Sequence, residues 1–523
     1  MMDSDRHEAA INRLLRRADW RFLLPQTHFA RAACAANGAL RDALSAISDA
    51  VVEPTPAVDD CDVFVATDPS DVTLDEGRRR LRAGACCYTE WSRSPDNGAR
   101  ALRRLERCGF REVELYRPWP SVDDAQVWFP VANPKMSSWY FARQVRTADG
   151  TLRRLVRLGR RFAYHAGHRR GSATIAAIAH NVPASLLTTI RQRWSEWGLG
   201  PEPARLWTVM QTGGPRSISK VVIFVFADAD CEPRLVIKAA RTANAAIGLR
   251  REAEMLLALH GVFDARRGAI PRMLIEQCDS HSALVCQTAL RGESVTPGAV
   301  AREYRQCAET ATEWLIQLGR CTQQPSDTSR WTDITDAVFN AFIRNYRNVS
   351  SDGLLDRITR IVKQAQPPPS VCEHRDFSPW NILRDGPRRL SVVDWESSER
   401  YGIAGTDLVY YLSHLAFYCR GLLGRRSRHS NAAFVRAYQQ AWYPGHVVGR
   451  VNHACMSAYM SALGIDGATL TALRVVTWLI HSASEHAQLT STTPAPREDA
   501  LRGGLFLNLL ESECATALTG SRR

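Results

Sequence analysis

Along the first part of the chain, short apolar runs alternate with stretches whose apolar positions recur at helical intervals. Asp62-Val63-Phe64-Val65-Ala66 and Ala85-Cys86-Cys87-Tyr88-Thr89-Glu90 read as strands. Nearly continuous apolar runs of this length suit strands covered on both faces. Between them, Thr73 to Arg82 has helical character and an excess of Arg. Ala101 to Phe110 reads as a helix stopped at Gly109, where a left-handed residue ends many helices. Strand Glu112 to Tyr116 follows. Before all of these, Ile11 to Leu15 reads as a short helix leading into Trp20 to Pro25. Strands alternating with helices predict a parallel, doubly wound sheet over residues 1–145.

Residues 146–206 read as a basic helical connector. Arg153, Arg154, Arg157, Arg160 and Arg161 interleave with Leu152, Leu155, Val156, Leu158 and Phe162, and His165, His168, Arg169 and Arg170 extend the charge. Apolar residues at helical intervals with Arg between them make an amphipathic basic helix. Such a helix suits an interdomain position with a solvated Arg face, and it would also suit peripheral contact with a membrane surface. It lacks the interleaved aromatics that stack bases, so no nucleic-acid partner is expected.

The pattern changes again at residue 207. Trp207 to Lys238 alternates apolar and polar positions around the turn Gln211 to Lys220, and Leu235-Val236-Ile237-Lys238 reads as a strand ending on Lys. A helical run starts at Arg251-Glu252-Ala253-Glu254 and carries Leu256, Leu257 and Leu259. Strands follow at Leu274 to Glu276 and from Ala283 on, and Gly292 gives a flexible exit. The remainder is mainly helical, as in Ala311 to Leu318 and the segments after Asp407. Pro367-Pro368-Pro369 is a stiff break before a short strand. The most apolar helical stretch, Leu408 to Leu423, is broken by His414 and Arg420. It falls short of the ~20 apolar residues of a membrane span and reads as a buried helix. Regions 207–291 and 292–523 are thus expected to be a strand-rich lobe and a helical lobe.

The chemistry concentrates at His374-Arg375-Asp376-Phe377-Ser378-Pro379-Trp380-Asn381, followed by Leu390-Ser391-Val392-Val393-Asp394. Singly, the first is an ordinary loop and the second an ordinary strand end. Together they form a phosphoryl-transfer layout, in which an Asp accepts the proton of the attacking hydroxyl while an Asn and a second Asp hold Mg2+ against the ATP phosphates. A tight loop puts Asp376 and Asn381 on one side of the nucleotide, and the strand delivers Asp394 to the other. Three oxygen-bearing groups then converge, as hard cations need.

These residues resemble the aminoglycoside phosphotransferase and choline kinase-like family. The resemblance covers roughly Leu206 to Leu510 and is strongest over His374 to Leu412. It implies a two-lobed protein-kinase-like fold and a small-molecule kinase that uses ATP and Mg2+. Asp376 would be the base, and Asn381 and Asp394 the metal ligands. Lys238 would reach the phosphates and pair with Glu252, which the family phrasing favours over Glu254. The turn holding Gly213, Gly214 and Ser217 would cover the phosphates, although it matches neither the Walker loop nor the Gly-x-Gly-x-x-Gly loop. Backbone groups from Thr288 to Leu290 would bind the adenine edge. His374 would support the catalytic loop. Glu396 would join the metal shell or contact substrate, or lie on the surface. Asp407 would cap the helix it begins. One departure is Arg375, where most such enzymes carry Gly. In the N-terminal region, Leu81-Arg82-Ala83-Gly84-Ala85, the helix ending Cys108-Gly109-Phe110 and the strand after it resemble the second half of a methyltransferase-like Rossmann domain. The turn after its first strand offers Ala35-Ala36-Asn37-Gly38 with a single Gly, and Glu53 is the one acidic candidate for ribose hydroxyls. Such a domain is degenerate by the needs of cofactor binding. The expected class is α+β: a protein-kinase-like domain preceded by an α/β Rossmann-like domain.

Length and charge refine this reading. A chain of 523 residues exceeds one average domain. The net charge of +13 is nearly all Arg and widely spread, so it discriminates poorly among partners. Fourteen Cys show no paired metal spacing, and the polar, acidic start Met1 to His7 reads as no secretory signal. Reduced thiols in a cytoplasmic protein are expected. The helices after Asp407 carry few acids before Glu485, which disfavours a polycationic acceptor and leans towards a neutral or anionic small-molecule hydroxyl. Two rival readings are a non-catalytic pseudokinase scaffold and a bifunctional methyltransferase-kinase. The oligomeric state cannot be read.

Overall fold

The computed structural model describes residues 14–520, apart from 57–58, 93–95, 97, 147–150, 171–173, 183–184, 214–219, 229, 264–267, 279–282, 424–429, 491–495 and 497. It divides into two compact units. The first holds the described residues up to Arg250 and Met273–Ala289; the second holds Arg251–Arg272 and the described residues from Leu290 on.

The order opens with β1 (Phe29–Ala35), α1 (Ala39–Ser45), β2 (Ser48–Val52), β3 (Cys61–Thr67), α2 (Asp71–Arg79), β4 (Leu81–Trp91), α3 (Ala99–Arg107), β5 (Arg111–Trp119) and β6 (Val127–Pro130). Then come α4 (Pro134–Arg146), α5 (Thr151–Arg170), β7 (Ile175–His180), α6 (Leu186–Gln192), β8 (Leu206–Gln211), β9 (Lys220–Ala227), β10 (Leu235–Ala240), α7 (Ala243–Leu259), β11 (Gly268–Ala269), β12 (Met273–Cys278) and β13 (Ala283–Thr288). In the first unit these strands, apart from β11, make one sheet in the order β12-β13-β10-β9-β8-β6-β5-β7-β4-β3-β1-β2. The pairs β1–β2, β1–β3 and β3–β4 are parallel. The pairings from β4–β7 to β12–β13 are antiparallel.

The parallel strands are apolar on both faces because both faces are covered. Val63, Val65, Cys86 and Tyr88 enter one core, while Phe64, Ala66 and Cys87 enter another with Leu74, Ala101 and Leu105. That alternation is the period-two consequence of the pleat. The first core also takes in Ile223, Ile237 and Cys286.

The sheet differs from the expected partition in one respect. Residues 175–180 fall within the expected connector, yet β7 is an inner strand between β4 and β5. The hydrogen bonding then continues from β6 to β8 through Val127–Gln211 and Trp128–Met210. No sheet edge separates the α/β strands from the expected strand-rich lobe. The first part of the expected connector is helical, as α5. Its Leu155, Val156 and Phe162 are exposed, while Tyr164 is buried against Phe129 and Phe141.

The second unit is mostly helical. It contains β14 (Glu293–Ser294), α8 (Pro297–Thr322), α9 (Thr328–Tyr346), α10 (Asp352–Gln364), β15 (Ser370–Glu373), β16 (Ile382–Arg384), β17 (Leu390–Val392) and β18 (Glu399–Ile403). The chain continues through α11 (Thr406–Cys419), α12 (Asn431–Trp442), α13 (Val447–Leu463), α14 (Leu470–Thr490), α15 (Glu498–Arg502) and α16 (Leu505–Gly520). Short strands order as β11-β17-β16-β14, and β15 pairs with β18. Gly292 was expected as a flexible exit. It sits at φ 123°, and a Cβ there would meet the Arg384 carbonyl oxygen at 2.8 Å, so close packing demands the Gly. Among the described residues no helix is long and apolar enough to cross a membrane. The described cysteines with assigned surroundings are free thiols.

Candidate active site

The second unit brings the loop 374–381 and the end of β17 together. Pro379–Asn381 forms a single 3-10 turn, with the Asn381 N–H donating to the Ser378 carbonyl at 3.0 Å. β16 and β17 pair as Ile382–Val392 and Leu383–Ser391. The Val393 N–H then donates to the Asn381 carbonyl at 3.0 Å, which ties the approach to Asp394 to Asn381. Asp394 itself lies at φ 71°, ψ 63°. This left-handed conformation is uncommon outside Gly but accessible to Asp.

Asn381 Nδ2 donates to the Asp376 carboxylate (Oδ2, 2.8 Å) and to the Asp376 carbonyl (3.0 Å). Both bonds use the amide nitrogen, so the amide oxygen is left as a ligand atom. Burial first, and then the charge of Asp394, raise the Asp376 pKa to about 7; the Asn381 hydrogen bond acts the other way. Two carboxylates that feel each other's charge, with the Asn381 amide oxygen not taken by those bonds, make a hard-oxygen donor set that suits Mg2+. Among the described residues there is no cluster of three His, Cys, Asp or Glu side chains able to hold a metal ion. A cation here would therefore rely on Asn381, Asp394 and non-protein oxygens, in keeping with the habit of Mg2+ at phosphate sites.

The loop is braced from beneath. His374 is fully buried; its Nδ1 accepts the Asp376 N–H at 3.2 Å, so Nε2 carries the proton to the Val393 carbonyl at 3.1 Å. His374 thus bridges the two arms of the site, as expected of a supporting residue. Trp395 packs on the His374 ring at 4.7 Å, and Phe377 stacks on Trp314.

Asp407 is not the expected cap. Gly405 occupies the cap position of α11, and the Asp407 carboxylate accepts the N–H groups of His374 (2.6 Å) and Arg375 (2.8 Å). The first turn of α11 therefore clamps the loop that carries Asp376. Burial and the Glu373 carboxylate raise the Asp407 pKa. Glu373 accepts from Thr406 and from Arg375 Nε (3.2 Å).

Arg375 sits at φ 63°. A left-handed angle of this kind favours Gly, the residue that the resemblance led one to expect here. Here Arg is held by Asp407 through its N–H and by Glu373 and Glu399 through its guanidinium, at 3.2 and 3.7 Å. Sequence reading did not find Tyr410. It lies one turn past Asp407 on α11, and its hydroxyl points at Asp376 Oδ1 from 3.4 Å. Its ring packs on His414 and His481, at 3.9 and 3.8 Å. The only available signal was helical spacing from Asp407. Glu396 is half-buried, and its carbonyl accepts from Arg251 at 3.5 Å. Glu485 accepts the N–H groups of Leu505 and Phe506 at the start of α16.

The remaining expected residues are placed as follows. Lys238 lies in the first unit within β10 rather than at its end, opposite Val222 and Val285, and is 5% exposed. Ala239 and Ala240 continue the strand because small apolar residues fit a covered position. Glu252 is on α7 and fully buried. Gly213 follows β8; Gly214 and Ser217 lie outside the described residues. Thr288 ends β13 opposite Leu235, and the next N–H, of Ala289, donates to the Arg234 carbonyl at 2.8 Å. Leu290 begins the final part of the second unit and is half-buried. In the α/β strands, the expected turn Ala35 to Gly38 does follow β1, with Gly38 at φ 60°. Glu53 is ion-paired with Arg41 at 2.5 Å, so its carboxylate is already engaged.

Three solved structures illustrate the likeness to known proteins. The GDP complex of wild-type aminoglycoside 2'-phosphotransferase-IIIa is 14% identical, covering 64% of this chain and 99% of that one, with a TM-score of 0.36. A choline/ethanolamine kinase family protein from Mesorhizobium loti is 16% identical, covering 62% and 97%, with a TM-score of 0.34. A glucosamine kinase in complex with glucosamine, ADP and inorganic phosphate is 15% identical, covering 60% and 84%, with a TM-score of 0.36. No curated protein matches the chain. The family model that does match spans the loop 374–381, Asp394 and the clamp of Asp407: over residues 217–450, just under half its length, this chain matches the phosphotransferase enzyme family.

Proposed function

We propose that the protein is a Mg-ATP-dependent phosphotransferase that moves the γ-phosphate to a hydroxyl of a small molecule. The observation that carries this reading is the geometry of the loop, in which Asn381 Nδ2 holds the Asp376 carboxylate at 2.8 Å with the charge of Asp394 acting on it. A carboxylate held in one orientation within reach of the attacking hydroxyl is placed to take its proton in the transition state. In this reading Asp376 accepts the acceptor's hydroxyl proton, while Tyr410 and Asn381 orient its two oxygens. His374 and Asp407 hold the loop so that the carboxylate does not swing.

Asn381 and Asp394 would hold Mg2+. When bound, Mg2+ neutralises the phosphate charge that develops in transfer. Lys238 would contact the nucleotide phosphates, with Glu252 orienting it. Gly213, Gly214 and Ser217 would cover the phosphates, and the backbone from Thr288 to Leu290 would meet the adenine edge. The acceptor is proposed to be neutral or anionic. Support comes from the groups packed on Tyr410, which are the buried rings of His414 and His481, and from Glu485, whose carboxylate is engaged by backbone N–H groups. A cytoplasmic location is part of the same proposal.

The test is turnover of Asp376→Asn in a screen of hydroxyl acceptors with Mg-ATP. A loss of roughly 10²–10⁴-fold, the usual worth of a positioned base, supports the assignment. Full activity in that variant would sink it.

A further inference from the structure

We propose that the first unit carries a binding site for a small oxyanion, a phosphate or carboxylate group, built around Arg21. The site is a cavity of about 510 Å³ whose lining includes Arg21, Gln26, Thr27, Ala46, Arg241 and Gln277. It lies outside the phosphotransferase-family match except for its wall from Arg241, Gln277 and their neighbours.

Arg21 is 4% exposed. Both hydrogen bonds of its guanidinium fall on Nη1, which donates to the Leu15 carbonyl (3.0 Å) and the Ala18 carbonyl (3.1 Å). Nε and Nη2 remain for the cavity. Those two nitrogens are one edge of the guanidinium fork, the edge that matches a pair of carboxylate or phosphate oxygens. The nearby carboxylate, Asp19, is engaged by Arg241, whose Nε and Nη2 approach it at 2.9 and 2.6 Å. At the rim, His28 is paired with Asp49 at 2.8 Å. Gln26 accepts Arg82 Nη2 through Oε1 at 3.3 Å, so its amide N–H groups point elsewhere. The Arg21 guanidinium also lies over the Phe22 ring at 4.3 Å and shares the charge of Asp19 with Arg241; a buried cation with only carbonyls as hydrogen-bond acceptors is an expensive arrangement unless an anion completes it. Burial, and Arg241 against the opposing pull of Asp19, lower the Arg21 pKa to about 10, so it remains cationic at neutral pH.

This site is separate from the nucleotide contact proposed for Lys238. Ile237 and Ala239 point into the core on one face of β10. The period of two places Arg241 with them and Lys238 on the other face.

The experiment is calorimetric titration of the full-length protein with inorganic phosphate and, separately, with sodium acetate, at an ionic strength fixed with chloride. Saturable binding is expected, equally strong in Lys238→Ala and weakened at least about ten-fold in Arg21→Met, the worth of a charge-assisted hydrogen-bond pair. Arg21→Met could fold poorly, so Ala46→Glu serves beside it. Ala46 is an exposed lining position, and a carboxylate there should displace the ligand while the melting temperature holds. Preference for phosphate would identify a phosphorylated ligand, and preference for acetate a carboxylate; both support the site. Absence of saturable binding by folded wild-type protein overturns the proposal, as does binding that survives in Arg21→Met and Ala46→Glu. Binding lost in Lys238→Ala but kept in Ala46→Glu places phosphate at the nucleotide site and also overturns it.

Discussion

Replacing Asp376 by Asn should make the metal-free protein more stable while it disables turnover, and the gain should depend on pH. Its carboxyl sits at about 7 in the folded protein against an ordinary 3.8. A folded pKa above the unfolded one means that ionisation opposes folding. The penalty begins as pH passes the unfolded value and is complete above the folded value. At 1.36 kcal/mol per pH unit the ceiling is about 4 kcal/mol near pH 8, falling below about 1 kcal/mol near pH 4. Asp376 is only half-buried, so solvent screens part of this, and Asn mismatches one of the oxygens facing Asn381 and Tyr410, a loss of about 1 kcal/mol. A net gain of about 2 kcal/mol near pH 8 is the expected result. The assay is thermal unfolding of wild type and Asp376→Asn in a chelating buffer at pH 4.5, 6, 7 and 8.5. The melting difference should grow with pH and level off above 7. A variant that is equally or less stable at pH 8.5 would refute the claim that burial and Asp394 raise the Asp376 pKa.

Other substitutions test the brace around the loop. Arg375→Gly and Arg375→Ala both lose the pairs to Glu373 and Glu399, but only Ala keeps the left-handed strain of φ 63°. Arg375→Ala should therefore be the less stable by about 1–2 kcal/mol in thermal unfolding, and equal stability would remove the strain argument. Asp407→Ala orphans two backbone N–H groups, at about 1–3 kcal/mol each. It should lower kcat while leaving the KM for ATP nearly unchanged, and a purely KM effect would contradict the clamp.

Much of the site was legible because its geometry is local. Asp376 and Asn381 are five residues apart, and a tight turn closes that distance without help from the rest of the fold. β17 could be read from its apolar run, so the delivery of Asp394 followed. What escaped was long-range. Asp407 looked like a helix cap because sequence shows its position at a helix start, but not the two N–H groups 32 and 33 residues earlier that take its carboxylate. Tyr410 was missed for the same reason. In the first unit, β7 went unread: Ile-Ala-Ala-Ile-Ala-His carries neither alternation nor helical spacing, and it adjoins a basic helix. Its pairing with β4 and β5 is what joins the α/β strands to the rest of the sheet. Arg375 could be flagged as a departure from the expected Gly, while its left-handed backbone angle was visible only in the fold.

Asn381 and Asp394 are proposed to form a metal-dependent nucleotide site. Calorimetric titration of Mg-ATP into the wild-type protein and Asp394→Ala tests it most directly. Binding in the micromolar to sub-millimolar range that requires Mg2+ and disappears in the variant is expected. Binding that is unaffected by chelation or by Asp394→Ala, or no binding to the folded wild-type protein, would contradict it.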